Sequence, residues 1–236
     1  MFNRSHEEGA CTMTKVYLVR HGEAVGNVTH VFQGLSDLPL TENGKRQAAL
    51  VGERMKEIHL DKVYASQMSR AQDTAKAIAS RQGLAVLTEP GVVEINGGEW
   101  EGQYWPDMPQ KYPHEVYLWD HHIYQLCIPG GESIQHVCER MRDTVKKLAQ
   151  ENEGKTICVV SHGGAIRCLM QSAMHLKPEE MDQLPWCDNT SVTLVEYDDH
   201  FDTHVAFYND SSHLHVEGVE INDDKAWQKE LKEKDA

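Results

Sequence analysis

Two stretches of this chain, VYLV at 16–19 and TICVV at 156–160, are apolar or nearly so at every position. A strand with one face in water alternates polar and apolar residues, so an unbroken run reads as a strand covered on both sides of its sheet. Helical patterns separate these runs. Residues 41–59 begin at Thr41, a residue suited to an N-cap, and space Ala48, Val51 and Met55 for one helix face. A short strand follows at 62–66, then a helix over 69–83 ending at Gly83, and a strand at 84–90. A long amphipathic helix (132–152), a strand (155–162), a helix (163–175) and strands at 191–197 and 203–209 complete the order. Strands separated by helices predict an α/β fold: a three-layer α/β/α sandwich with a mostly parallel central sheet.

Residues 95–130 break the alternation. No βα unit is visible there, yet three of the five Trp and four of the eight Tyr fall in that segment. Between Arg81 and Arg140 there is no arginine, and Lys111 is the only lysine. Such a segment reads either as a cap inserted over a site, aromatic rather than basic, or as an aromatic satellite core under a long loop. The residues weigh the two about evenly.

The 236 residues suit one sizeable domain, expected over 13–215 with the cap inserted at about 95–130. A net charge of −14 argues against a nucleic-acid partner, which would call for a basic stripe. No stretch reaches the roughly 20 apolar residues of a membrane span. The six cysteines form no CxxC pair, as expected of reduced thiols in a cytoplasmic protein. Residues 1–12 lack the apolar core of a signal peptide. They are expected to be a disordered extension or a product of start-codon choice, and 216–236 a polar tail.

In open α/β sheets, ligands bind outside the carboxyl ends of the strands. Three such ends carry polar residues here: Arg20-His21-Gly22 after VYLV, Arg70 behind the possible cap Ser69, and Ser161-His162-Gly163-Gly164 after TICVV. Two arginines, two histidines and two helix N-termini could converge on one crevice and hold an anion. In an acidic chain, cations gathered at one place are informative.

The segments LVRHGEAVGN, FQGLSDLPLTENGKRQA, VYASQMSRAQDTA, EINGGEWEG, GES and VVSHGGAIR resemble, in order, the motifs of the histidine phosphatase superfamily. They resemble the branch that includes cofactor-dependent phosphoglycerate mutases, and the likeness runs from about Lys15 to Leu214. It implies that His21 is the nucleophile of a phosphohistidine intermediate, with Arg20, Arg70 and His162 holding the phosphoryl oxygens. It further implies Glu94 as proton donor and acceptor, ahead of Glu99 and Glu101, which suit a solvated loop. Asn27, Gln33 and Gly34 match positions lining phosphate or substrate in relatives, and Gly163 joins the substrate-binding set. No cofactor and no metal is required.

Several mutase features are missing. Gly97 stands where mutases of the family carry a tyrosine, Gly163-Gly164 where they read Gly-Asn, and the cap lacks their lysine and arginine pair. Glu99, Glu101, Asp107, Glu115 and Asp120 would repel a bisphosphorylated intermediate. The expected function is therefore a metal-independent phosphomonoesterase acting on a small phosphorylated metabolite, as a monomer or homodimer. The aromatic cap suggests a leaving group with an apolar or planar part. The alternatives are a bisphosphoglycerate-dependent mutase and a non-catalytic phosphate-binding module. Metal binding by His121-His122, His200 with His204, or His213 with His215 is a remote third, since none has partners at a familiar spacing.

Overall fold

The computed structural model describes residues 13–221, so the N-terminal twelve residues and the tail from 222 lie outside it. Six strands form one sheet in the order β3-β2-β4-β1-β5-β6. They are β1 (Thr14–Arg20), β2 (Lys62–Ala65), β3 (Val86–Thr88), β4 (Thr156–Ser161), β5 (Val192–Tyr197) and β6 (Thr203–Asp210). The pairings β1–β4, β4–β2 and β2–β3 are parallel, while β5 and β6 add antiparallel ribbons at one side.

The unbroken apolar runs are covered on both faces, as their composition requires. Val16, Leu18, Ile157 and Val159 point into one core, and Val19, Cys158 and Val160 into the other. Beyond the short α1 (Val25–Thr29), the second core receives α2 (Glu42–Met55) and α3 (Ser69–Ala79), and the first receives α6 (Ile134–Glu151) and α7 (Gly163–Ala173). Helices α2 and α3 approach so closely that a Cβ on Gly52 would meet the Ala77 carbonyl at 2.6 Å. This is the three-layer sandwich expected from the sequence.

Element ends shift by a few residues. Thr41 does cap α2, accepting the Gly44 N–H at 2.9 Å, but the helix closes at Met55 rather than 59. Helix α3 ends at Ala79, and the chain turns through Gly83 in the left-handed region (φ +67°). Ser69 is not its cap. Met68 holds that position without a side-chain bond, and Asp37 from a distant loop accepts both the N–H and the hydroxyl of Ser69 at 2.8 Å. Residues 84–90 contribute only the three-residue edge strand β3.

The 95–130 segment contains α4 (Met108–Lys111), α5 (Pro113–His121) and short 3-10 turns, and no strand. Trp100 and Met108 are fully buried and continuous with the α6/α7 core, as satellite core would be. Trp105 and Trp119 also wall a cavity, as a cap would.

Candidate active site

Parallel register brings the site together. Arg20 pairs with Ser161 across β1 and β4, so the next residue of each strand, His21 and His162, emerges at the same sheet edge. Their ring centroids lie 5.1 Å apart in an edge-on arrangement. Gly22 follows where a Cβ would sit 2.6 Å from the Gly44 carbonyl, and its N–H donates to Thr74 Oγ1 at 3.0 Å. The His21 carbonyl accepts from Asn189 Nδ2 and the Thr190 N–H, which fixes the strand end from the opposite side.

The Nδ1 atom of His21 lies 2.7 Å from the Gly22 carbonyl. A carbonyl only accepts, so Nδ1 carries the proton and Nε2 keeps its lone pair. Burial first, then Arg70 and Arg20, hold the His21 pKa well below the ordinary imidazole value. His162 is held down in the same way, by burial and then Arg70, and its Nε2 pairs with Ser66 Oγ at 2.7 Å. Both rings are therefore neutral at pH 7.

Arg70 is fully buried, with Nη1 donating to the Ser36 carbonyl and Nη2 to that of Gly34, both at 2.8 Å. Arg70 Nε and His162 Nδ1 are buried and have no hydrogen-bond partner among the described residues. Arg20 donates through Nη1 to the Cys187 carbonyl, and a Cβ on Gly163 would stand 3.2 Å from Arg20 Nε. A glycine at 163 thus leaves that guanidinium room beside the cavity.

The Glu94 carboxylate accepts the N–H groups of Gly164 at 3.0 Å, Ala165 at 2.9 Å and Ile95 at 3.0 Å. The first turn of α7 is thus occupied by Glu94 rather than open to a ligand. The first turn of α3 is likewise taken by Asp37, so the expectation of two free helix N-termini is corrected. Behind Glu94, Arg140 donates to the carbonyls of Gly91 and Val93 at 2.9 Å and forms a two-pronged pair with Glu132 at 3.1 Å. Glu132 Oε2 also accepts the Asn96 N–H at 2.8 Å.

Glu101 is not a solvated loop residue. Its carboxylate accepts N–H groups from Leu35 at 2.7 Å, Gly97 at 2.9 Å, Ser36 at 3.0 Å and Gly34 at 3.2 Å. Burial alone would raise its pKa, yet the hydroxyl of Ser36 and these N–H groups bring it below the usual carboxylate value. The loop it fastens is the one whose carbonyls hold Arg70. Glu99 is exposed.

These groups surround a cavity of about 150 Å³. Of the residues expected from the sequence, Arg20, His21, Asn27, Gln33, Glu94 and Gly163 line it. Arg70, His162 and Gly34 stand outside that lining, and Gly34 supports Arg70 through its carbonyl. The rest of the cavity wall is largely aromatic, with Phe32, Trp105, Trp119 and Trp186 beside His30 and Val31; Trp119 and Trp186 are stacked at 5.1 Å. Trp186, outside the 95–130 segment, went unseen in the sequence.

Among the described residues, no group of three or more His, Cys, Asp or Glu side chains could hold a metal ion. The histidines considered for that role have other neighbours: His213 contacts Arg54 and Thr190, and His121 and His122 pack against Tyr117. No described helix is long and apolar enough to cross a membrane.

Buried cations and paired imidazoles at the carboxyl ends of the parallel strands mark an enzyme site built for a phosphoryl group. The family model of the histidine phosphatase superfamily (branch 1) matches residues 16–211, and the chain belongs to that superfamily. Phosphoserine phosphatase 1 of Hydrogenobacter thermophilus is 30% identical over 187 residues, covering 79% of this chain and 88% of that protein. A Yersinia enterocolitica protein named "Probable phosphoglycerate mutase GpmB" is 35% identical over 189 residues, covering 78% and 86%. Among solved structures, Bacillus stearothermophilus YhfR matches with a TM-score of 0.81 at 30% identity, covering 85% of this chain and 98% of that one.

Proposed function

We propose that the chain hydrolyses a small phosphomonoester through a phosphohistidine on His21. The observation that carries this is the 2.7 Å contact between His21 Nδ1 and the Gly22 carbonyl: it calls for a proton on Nδ1 and leaves Nε2 to act as the nucleophile in a cavity shared with Arg20 and Glu94. Nε2 attacks phosphorus in line as the ester P–O bond breaks, and Glu94 protonates the departing oxygen. A water molecule then attacks phosphorus, Glu94 takes its proton, and the P–N bond breaks to release phosphate. Arg20, Arg70 and His162 offset the charge that builds on the phosphoryl oxygens, and Asn27 and Gln33 line the approach.

A mutase reading is prompted by the Yersinia relative's name. It requires a bisphosphorylated intermediate to be retained, and the acidic cap disfavours one. A purely ligand-binding role is disfavoured because His21 and Glu94, side chains suited to a nucleophile and a proton donor, line one cavity. The five described cysteines are free thiols, which supports a reducing, cytoplasmic setting.

The test is rapid quenching with a good phosphomonoester. The protein should trap an acid-labile phosphoryl group, and His21→Ala should lose both this and steady-state turnover by at least about a thousandfold. Undiminished turnover in the His21 variant would reject the mechanism. Rapid interconversion of 2- and 3-phosphoglycerate would favour the mutase.

A further inference from the structure

A separate cavity of about 130 Å³ lies at the end of the sheet opposite the active site. Tyr197, on its wall, pairs with Thr14, the first residue of β1, whereas His21 follows the last. At about 3.3 Å per strand residue, the length of β1 sets the two places roughly 20 Å apart. The C-terminal end of α7, at Ser172 and Ala173, bounds the cavity on one side, and the turn into β6, at Phe201 and Thr203, on another.

Tyr197 is 2% exposed, with its side chain in the core shared by α6 and α7. Its hydroxyl makes no hydrogen bond among the described residues, and burial pushes the phenol pKa up, so the proton stays in place. That hydroxyl is not one of the polar atoms sealed from solvent. Since Tyr197 lines the cavity, the solvent it reaches is the cavity's own. A donor is thus held ready there with nothing to bond.

Two cations face the same space from α6, Arg142 and Lys146, four residues apart. Like charges at that spacing repel across one helical turn. Lys146 has no ion pair or hydrogen bond among the described residues, and Arg142 donates only through Nε, to Asp143 at 2.8 Å. Neither serves as a cap for α7. The carbonyls of Met170, Gln171 and Ser172 accept the N–H groups of Met174, Leu176 and His175, and that of Ala173 accepts the Thr203 hydroxyl. His175 and Phe201, also on the wall, are two of the five described non-glycine residues with positive φ, at +54° and +59°. Backbone of that kind is uncommon and gathers where side chains are held for a purpose. Asp202 is the single carboxylate of the lining, so two cations against one anion leave it net positive in a chain of charge −14.

We propose that this cavity is a second ligand site, for a small molecule bearing one oxyanion group, a carboxylate or a phosphate, on a compact apolar body. Arg142 and Lys146 take the oxyanion, the Tyr197 hydroxyl donates to it, and Phe201 and Ala173 cover the body. Asp202 weighs against a second anionic group. The site stands independently of the reaction proposed for His21.

The probes are phenylphosphonate and benzoate, which have no phosphate ester to hydrolyse and present the two kinds of oxyanion on the same ring. Backbone-amide NMR of the full chain separates the sites: residues 172–175 and 197–203 report this cavity, and 21–22 and 163–165 the active site. At least one probe should move the first set saturably, and the tighter of the two names the oxyanion. In the double variant Arg142→Gln, Lys146→Gln the Kd read there should rise about tenfold or more, the scale of a charge-assisted hydrogen bond. Tyr197→Phe should raise it about threefold or more without lowering the urea midpoint, since the hydroxyl has no partner to lose. Shifts reproduced by sodium chloride at matched ionic strength would overturn the proposal, as would no response of the first set to either probe. An unchanged Kd in both variants would overturn it as well.

Discussion

At Gly164 an ideal Cβ would lie 2.8 Å from Glu94 Oε1 and 3.3 Å from its carboxyl carbon. Any side chain there must push the carboxylate off the first turn of α7, so Gly164 is what lets Glu94 stand where it does. Gly164→Ala should lower kcat on alkyl phosphates by about tenfold or more, within the range a positioned general acid contributes, with KM changed less than about twofold. Hydrolysis of 4-nitrophenyl phosphate, whose leaving group departs without a proton, should fall far less; equal losses on both substrates would sink this account. Arg20, His21 and His162 were legible because each sits next to a strand end and carries a charge or ring out of place in a core. Glu101 was not, since its partners at 34–36 lie more than sixty residues away in sequence and nothing in its own neighbourhood marks it.

Among the elements, the unbroken runs of β1 and β4 were readable because burial on both faces leaves a compositional mark. Short edge strands such as β3 carry little of it, since packing against one neighbour decides them. The capping of α3 by Asp37 was illegible for want of any local signal. The same holds for the clamp that ties α6 to the 91–96 segment. Arg140 and Glu132 are each about 15% exposed, and together they take up two carbonyls and one N–H of the irregular segment that presents Glu94. Glu132→Ala leaves Arg140 partly unpaired in a poorly solvated place, and should cost about 1–3 kcal/mol in urea unfolding. It should also lower kcat on alkyl phosphates more than on 4-nitrophenyl phosphate, because the displaced group is the proton donor. A stability loss with no such split would make the clamp purely structural.

For the molecule as a whole, two buried neutral imidazoles couple folding to pH. Burial, Arg70 and Arg20 keep His21 and His162 unprotonated in the folded chain well below the ordinary imidazole value, whereas the unfolded chain binds both protons as pH falls through about 6.5. The unfolded state then holds more protons, so stability drops as pH falls. Each imidazole contributes a slope of about 1.4 kcal/mol per pH unit below that point, or about 2.7 for the pair. His213, pushed down to about 4 chiefly by burial, acts in the same direction. The net charge of −14 works the other way, since its field favours protonation of surface histidines in the folded state. That field is spread over the surface and screened within about 8 Å at physiological salt, so the buried pair should dominate. Carboxylates add their own loss only nearer pH 4, which leaves a window between about 5 and 6.5 where the histidines can be read alone. Urea midpoints should therefore fall steeply from pH 7 to 5.5, and His21→Gln should remove about a third of the slope that these three histidines contribute. A midpoint flat across that window would show that the two rings are not held neutral by the fold.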